Sequence, residues 1–174
     1  MPDDVRAPSL QLVDVETALA HAPPGHKDEL RLWLRMLSCT RLMEAEIRRR
    51  LRLRFATTLP RFDLMAQLAR VPDGLTAGEV SRRMMVTGGN VTGLAARLEE
   101  EGVLDRIPAR DRRAVTLRLT PLGRREFARQ SAAHEAWVAE LLGALPATDR
   151  ATLLRLLDRT RRSVRAALTT DPEA

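Results

Sequence analysis

The strongest constraint on the fold lies in residues 75–102, where two short helices must follow one another with almost no chain between them. Thr76-Ala77-Gly78-Glu79 has the form of a capping box. In that motif the threonine hydroxyl accepts from the glutamate amide, while the glutamate carboxylate reaches back to the threonine amide. Leu75 and Val80 stand where a hydrophobic staple needs them. A helix therefore starts at Thr76 and ends near Met84 or Met85. A second helix comes at once, with Thr87 in the capping position, and Val91, Leu94, Ala95 and Leu98 as its buried stripe. Gly102 sits where a left-handed stop belongs. Two short helices joined by a tight turn make a helix-turn-helix.

The rest of the chain is read outward from this motif. From about Lys27 to Ala56 the pattern is helical, with Leu30, Leu34, Leu37, Met43, Ile47, Leu51 and Phe55 on one face. At about 1.5 Å per residue this helix runs roughly 40 Å, too long for a compact domain to cover alone. Thr58 and Pro60 open another helix carrying Phe62, Met65, Leu68 and Ala69, which Pro72-Asp73-Gly74 ends. After Gly102 the period changes from helical to alternating. Val115-Thr116-Leu117-Arg118-Leu119 reads as a half-buried strand, Leu104 to Ile107 as its partner, and Pro108 to Arg113 as the hairpin tip. Thr120-Pro121 opens a long helix with Phe127, Val138, Leu141 and Leu145 at heptad-like spacing, and Ser131 and His134 in intermediate slots. Beyond Pro146, residues 149–168 place Leu153, Leu157, Val164 and Leu168 on one face.

The expected order is a long helix, three short helices, a hairpin and two long helices. The fold class is mainly α with a small β-hairpin wing: a winged helix-turn-helix lobe on a helical dimerisation scaffold. The expected boundaries are an N-terminal arm at 1–26, a first long helix at 27–57, the winged lobe at 58–120, C-terminal helices at 121–168 and a tail at 169–174. Pro23-Pro24-Gly25 separates the arm from the first long helix.

Composition narrows the function. At 44% apolar and 30% charged, the 174 residues can bury a proper core and stay soluble. No run of about 18 apolar residues suggests a membrane span, and the acidic start Met1-Pro2-Asp3-Asp4 is not expected to be a signal peptide. The single cysteine, Cys39, excludes internal disulfides and fits a reducing cytoplasm. His21, His26 and His134 make a poor metal set, and no metal or other cofactor is expected. No nucleophile–base pair or phosphate-binding loop appears, which argues against an enzyme. Net charge is +6, and Lys27 is the single lysine among 29 basic side chains of the Lys and Arg types. Guanidinium groups grip phosphates bidentately, so this balance leans toward a polyanionic partner. A GC-rich genome would explain the arginine bias equally well.

The chain resembles the MarR family of bacterial regulators from about Asp28 to Val164. The resemblance rests on Leu75-Thr76-Ala77-Gly78-Glu79-Val80, on Val86 through Leu94, on Arg97-Leu98-Glu99 to Gly102, and on Arg106. Asp111-Arg112-Arg113 and Leu119-Thr120-Pro121-Leu122-Gly123 complete it. It implies a homodimer with interlocked terminal helices, two winged lobes reaching DNA, and repression relieved by a small molecule or by oxidation.

In that frame the second short helix lies in the major groove. With its apolar stripe inward, Thr87, Gly88, Gly89, Asn90, Thr92, Gly93 and Arg97 face outward, beside the cap residue Thr76. The glycines allow close approach, and free amides at a helix start suit a phosphate. Asn90 can make a paired contact with adenine, and Thr92 can touch a thymine methyl or accept a hydrogen bond. As an ordinary alternative, Asn90 is a second cap residue. Arg97 either binds phosphate or pairs with Glu101 four residues on. At the hairpin tip, Arg110, Asp111, Arg112 and Arg113 could place an arginine in a narrow minor groove. By the resemblance Asp111 braces the tip, and Arg112 is the favoured reader. Read without that context, the same cluster is a solvated charged turn.

The run Arg48, Arg49, Arg50, Arg52 and Arg54 covers several helix faces. Some of its members are expected to pair with acids and others to stay solvated. Cys39 is expected to be a small buried apolar residue, and with no tyrosine in the chain a thiol sensor is disfavoured. By the resemblance an inducer lodges among the first, second and fifth helices, where Trp33, Met36, Met43, Phe62, Met65, His134 and Trp137 offer an apolar lining. The inducer so implied is an aromatic acid or its coenzyme A thioester, although each of these residues also suits an ordinary core. The competing classes are a helical interaction protein antagonising another regulator, and a redox-responsive regulator using Cys39.

Overall fold

A computed structural model of the protein describes residues 27–108 and 115–170. The N-terminal arm, the hairpin-tip residues Arg110, Asp111, Arg112 and Arg113, and the last four residues of the tail lie outside the described residues. The elements are α1 (Lys27–Phe55), α2 (Leu59–Ala69), β1 (Leu75–Thr76), α3 (Ala77–Met84), α4 (Gly88–Glu100), β2 (Leu104–Pro108), β3 (Val115–Leu119), α5 (Pro121–Leu141) and α6 (Ala147–Thr170). Two compact units divide after Gln130, so α5 belongs to both.

The first unit is organised around the apolar positions that periodicity marks. α1 buries Ile47 and Leu51 near its C-terminal end, whereas Leu30 and Leu32 near its start are exposed. Ala56 stops the helix in a left-handed conformation, φ 49°, which a residue with a Cβ adopts at some cost. Thr58 then caps α2 by position alone, with no side-chain cap bond, and a proline occupies its first turn. Gly74, at φ 89°, turns the chain into β1. A Cβ there would stand 2.5 Å from the Leu117 carbonyl oxygen, so strand and turn approach closely only because glycine is present.

The sheet is one strand larger than the sequence suggests. β1 pairs antiparallel with β3, Leu75 opposite Leu117 and Thr76 opposite Thr116, giving the strand order β1-β3-β2. β2 pairs with β3 from Leu104 opposite Leu119 to Pro108 opposite Val115. Two-residue β1 has no alternation to detect, and its partner lies far along the chain. Leu117 and Leu119 point into the core that also holds Leu64, Met65, Leu68, Val80, Val91, Leu98 and Leu104. This core fixes α3 and α4 on the sheet.

The capping box forms as the sequence requires. Glu79 N–H donates to Thr76 Oγ1 at 3.3 Å, while Thr76 N–H and its hydroxyl each donate to Glu79 Oε2 at 2.7 Å. The bonds from the Thr76 amide and hydroxyl hold the Glu79 carboxyl below its ordinary value. A carboxyl lowered in the folded state contributes stability above its unfolded pKa, and that contribution fades as pH falls through the folded value. Thr76→Ala should therefore cost about 1 kcal/mol near neutral pH. In parallel denaturant titrations its gap from wild type should narrow in acid; a gap constant with pH would detach Glu79 from the cap.

In the second unit, Ala133 and Trp137 of α5 are buried. α6 is different. Leu153, Leu154, Leu156, Leu157, Val164 and Leu168 are all exposed, from 42% at Leu157 to 68% at Leu168. A soluble chain does not normally leave such a row in water without a partner.

Candidate nucleic-acid interface

α3 and α4 are joined by a turn that side chains and backbone both hold. Met85 takes a left-handed conformation, φ 54°, and its N–H bonds Ser81 O. Val86 N–H bonds the same carbonyl at 3.2 Å, and Ser81 Oγ donates to Val86 O at 2.5 Å. These bonds fix the direction in which α4 leaves the turn. α4 then buries Val91, Ala95 and Leu98, each at 1% exposure or less, against the lobe core. One face of α4 is thereby committed, and the other is left to solvent.

That outer face carries Thr87, Gly88, Gly89, Asn90, Thr92, Gly93 and Arg97, all exposed. Thr87 occupies the cap position with extended geometry but makes no side-chain cap bond. The Thr92 hydroxyl donates to Gly88 O at 3.0 Å. Its proton is spent inside the helix, so toward a base it can only accept, while its methyl stays free. Thr76, by contrast, has its hydroxyl committed to Glu79.

Arg97 does not pair with Glu101. A long-range partner takes that carboxylate: Arg61 of α2 holds Glu101 through both terminal nitrogens, Nη1 to Oε1 at 2.8 Å and Nη2 to Oε2. Glu99 is held by Arg106 of β2 at 2.7 Å. Two acids at the end of α4 are thus neutralised by neighbouring elements, and Arg97 stays exposed beside Gly89 and Gly93 on a hollow of about 390 Å³ walled by Met84, Val86 and Leu94. Arg82 and Arg83 in the last turn of α3 are exposed as well. Reading the sequence alone does not single them out, although an arginine pair at the end of the first helix of such a motif is the available signal.

The arginine run of α1 is mostly tied up locally. Arg48 bonds Glu44 at 3.1 Å, and Glu46 accepts from Arg49 Nε at 2.8 Å and from Arg50 Nε at 2.6 Å. The bonds to Arg49 and then Arg50 draw Glu46 down to about 2. Cys39 is exposed, against the expectation of burial. It lies in the early part of α1, where Leu30, Leu32 and Trp33 are exposed as well.

Of the seven residues expected to line an inducer cavity, five lie in the first unit and two in the second. In the first unit Trp33 is 56% exposed, Met36 and Met43 are half-buried on α1, and Phe62 and Met65 are buried. Met65 belongs to the lobe core, and Phe62 packs on Phe127 with ring centroids 5.5 Å apart. These two side chains are filling space rather than walling it. In the second unit His134 is half-buried and Trp137 buried.

A family model described as the MarR family matches residues 57–114. A MarR family transcriptional regulator from Silicibacter pomeroyi is 34% identical, with a TM-score of 0.70, over 82% of this chain and 99% of that one. The chain belongs to the MarR family. Its fold and family are those of transcriptional regulators, not of enzymes. Within the family it is also similar to the Mycobacterium tuberculosis protein Rv2887, whose structure is a complex with DNA, at 25% identity and a TM-score of 0.60 over 72% of this chain and 93% of that one. The Rhodopseudomonas palustris transcriptional activatory protein BadR is 31% identical over 97 residues. That match takes in 54% of this MarR-family chain and 55% of BadR, about half of each. No helix among the described residues is long and apolar enough to cross a membrane.

Proposed function

We propose that the protein is a homodimeric, sequence-specific DNA-binding repressor that sits on a pseudo-palindromic operator in the cytoplasm and is released by a small molecule. The outer face of α4 carries this reading. Its seven exposed residues are small, polar or cationic, and Glu99 and Glu101 at the end of α4 are neutralised. A helix entering the major groove needs such a surface, with bulk kept to positions that read a base. Asn90 reads adenine, Thr92 accepts a base donor or meets a thymine methyl, and Arg82, Arg83 and Arg97 anchor phosphates. Of the two inducers that the family resemblance implies, the aromatic acid is the better supported. Arg48, Arg49 and Arg50 are engaged by Glu44 and Glu46, which takes three of the run's five cations away from the phosphates of a coenzyme A thioester.

A mobility-shift assay on the promoter beside the gene tests the DNA reading, and absence of any shift would favour an interaction module instead. Asn90→Ala should cost roughly 1–3 kcal/mol at particular base pairs and relax the preference there. Arg97→Ala should instead weaken binding to all sequences and lower the salt slope by about one unit. An unchanged specificity profile in Asn90→Ala would remove Asn90 from the reading surface. Activation is the second reading, favoured by the activatory role in BadR's name. Transcript levels beside the gene, measured after its deletion, separate the two: they rise for a repressor and fall for an activator.

A further inference from the structure

A second concave site lies away from α4, within the first unit, where the end of α1 meets the first half of α5. It is a hollow of about 330 Å³ walled by Leu53, Arg54 and Phe55 on one side and by Glu126, Arg129 and Gln130 on the other. None of the seven residues expected to line an inducer cavity contributes to it. Three features are unusual together. Arg54 and Arg129 are exposed and have no ion-pair partner among the described residues, although Arg54 lies over the Phe55 ring at 5.6 Å. Glu126, in the same wall as Arg129, is likewise without an ion-pair partner among the described residues. Gln130 is 6% exposed, and its Oε1 is sealed from solvent with no hydrogen-bond donor.

A buried carbonyl oxygen without a donor is costly, and native chains rarely keep one without a reason. Its terminal torsion is broad, so a modest rotation presents Oε1 to the hollow. The wall then offers two cations, two acceptors and the apolar edges of Leu53 and Phe55. We infer that this hollow binds a small amphoteric carboxylate of the α-amino acid type with an apolar side chain. Its carboxylate meets Arg54 and Arg129, its ammonium donates to Gln130 Oε1 and Glu126, and its side chain lies on Leu53 and Phe55. The lower end of the usual volume range for ligand sites accommodates a molecule of this size. The site stands independently of the DNA reading, because each group it uses is in place without DNA.

Three compounds of one carbon skeleton separate the chemistries: phenylalanine with an ammonium, 3-phenyllactate with a hydroxyl, and 3-phenylpropionate with neither. Calorimetry and thermal shift on the full-length protein, without DNA, should rank them in that order. Arg54→Gln and Arg129→Gln, both on exposed side chains, should each weaken all three by about tenfold or more, the scale of a charge-assisted bond. Gln130→Leu should narrow the gap between phenylalanine and 3-phenylpropionate without closing it, since Glu126 still takes the ammonium. It should also raise the melting temperature of the ligand-free protein, because it removes the orphan oxygen without emptying its space. The inference is overturned if none of the three binds, if they bind equally to wild type, or if the arginine variants bind as wild type does. A lower melting temperature for ligand-free Gln130→Leu would also overturn it, since Oε1 would then have a stabilising partner.

Discussion

Replacing Leu153 and Leu157 together with arginine is expected to give a protein that scatters light as a single chain and no longer shifts an operator. The two residues are 45% and 42% exposed, and they belong to a row on α6 that continues through Val164 and Leu168. In a symmetric dimer each substituted position counts once from either protomer. Burying an exposed leucine is worth about 2 kcal/mol, and the arginines that replace the leucines would have to shed water as well. With less than half of each side chain left to bury, the four positions together give about 4 kcal/mol. Dimerisation should therefore weaken by at least about 500-fold, since each 1.4 kcal/mol is tenfold. Operator binding should fail with it. A dimer grips two half-sites about one helical turn apart, and one lobe alone loses the effective concentration that the second binding event supplies. The helices of the monomer should survive, because those positions on α6 already face outward. A variant that still scatters as two chains would mean that the proposed interface lies elsewhere, and a wild type that scatters as one chain would end the dimer proposal.

Features determined by neighbours along the chain are legible in the sequence. The capping box closes over three residues, so Thr76 and Glu79 announce it without tertiary help. The same holds for the α4 stripe and for the alternation in β3, whose periods are local properties of the backbone. The α1 ion pairs are also within reach, since Glu44 and Glu46 lie three or four residues from the arginines they hold. Choices settled by distant partners are hidden. Arg97 and Glu101 have ideal helical spacing, yet Arg61, forty residues before Glu101, outcompetes Arg97 for the carboxylate. β1 exists only because β3 passes beside Leu75 and Thr76. Residue type alone suggests a buried Cys39, but α1 is covered only toward its C-terminal end, at Ile47 and Leu51. The hollow at the end of α1 is invisible for the same reason as the Arg61 pair: Arg54 and Gln130 are far apart in sequence and share a surface only after folding.

Gly123 is where this distinction has its largest consequence for stability. In the sequence it is one letter of the Thr120-Pro121-Leu122-Gly123 stretch, with no task of its own. In the fold, Thr120 Oγ1 accepts from Gly123 N–H at 3.0 Å and donates to Gly102 O at 2.8 Å, while Thr120 N–H bonds Val103 O at 3.1 Å. The first turn of α5 is thereby drawn onto the corner after α4. A Cβ on Gly123 would stand 2.1 Å from Val103 O and 3.1 Å from Val103 Cγ1. Val103 is 2% exposed and its carbonyl is backbone, so neither atom can swing aside. Overpacking of this kind typically costs about 1–3 kcal/mol, and with a backbone carbonyl as the obstacle Gly123→Ala should cost about 3 kcal/mol or leave no folded protein. Gly93→Ala supplies the control. Its added methyl meets nothing within 4 Å, and relief of glycine's conformational entropy in a helix interior should stabilise the lobe by up to about 1 kcal/mol. Chemical denaturation of the two variants beside wild type should therefore move the midpoints in opposite directions. If Gly123→Ala unfolds at the wild-type midpoint, the close seating of α5 on the α4 corner is wrong.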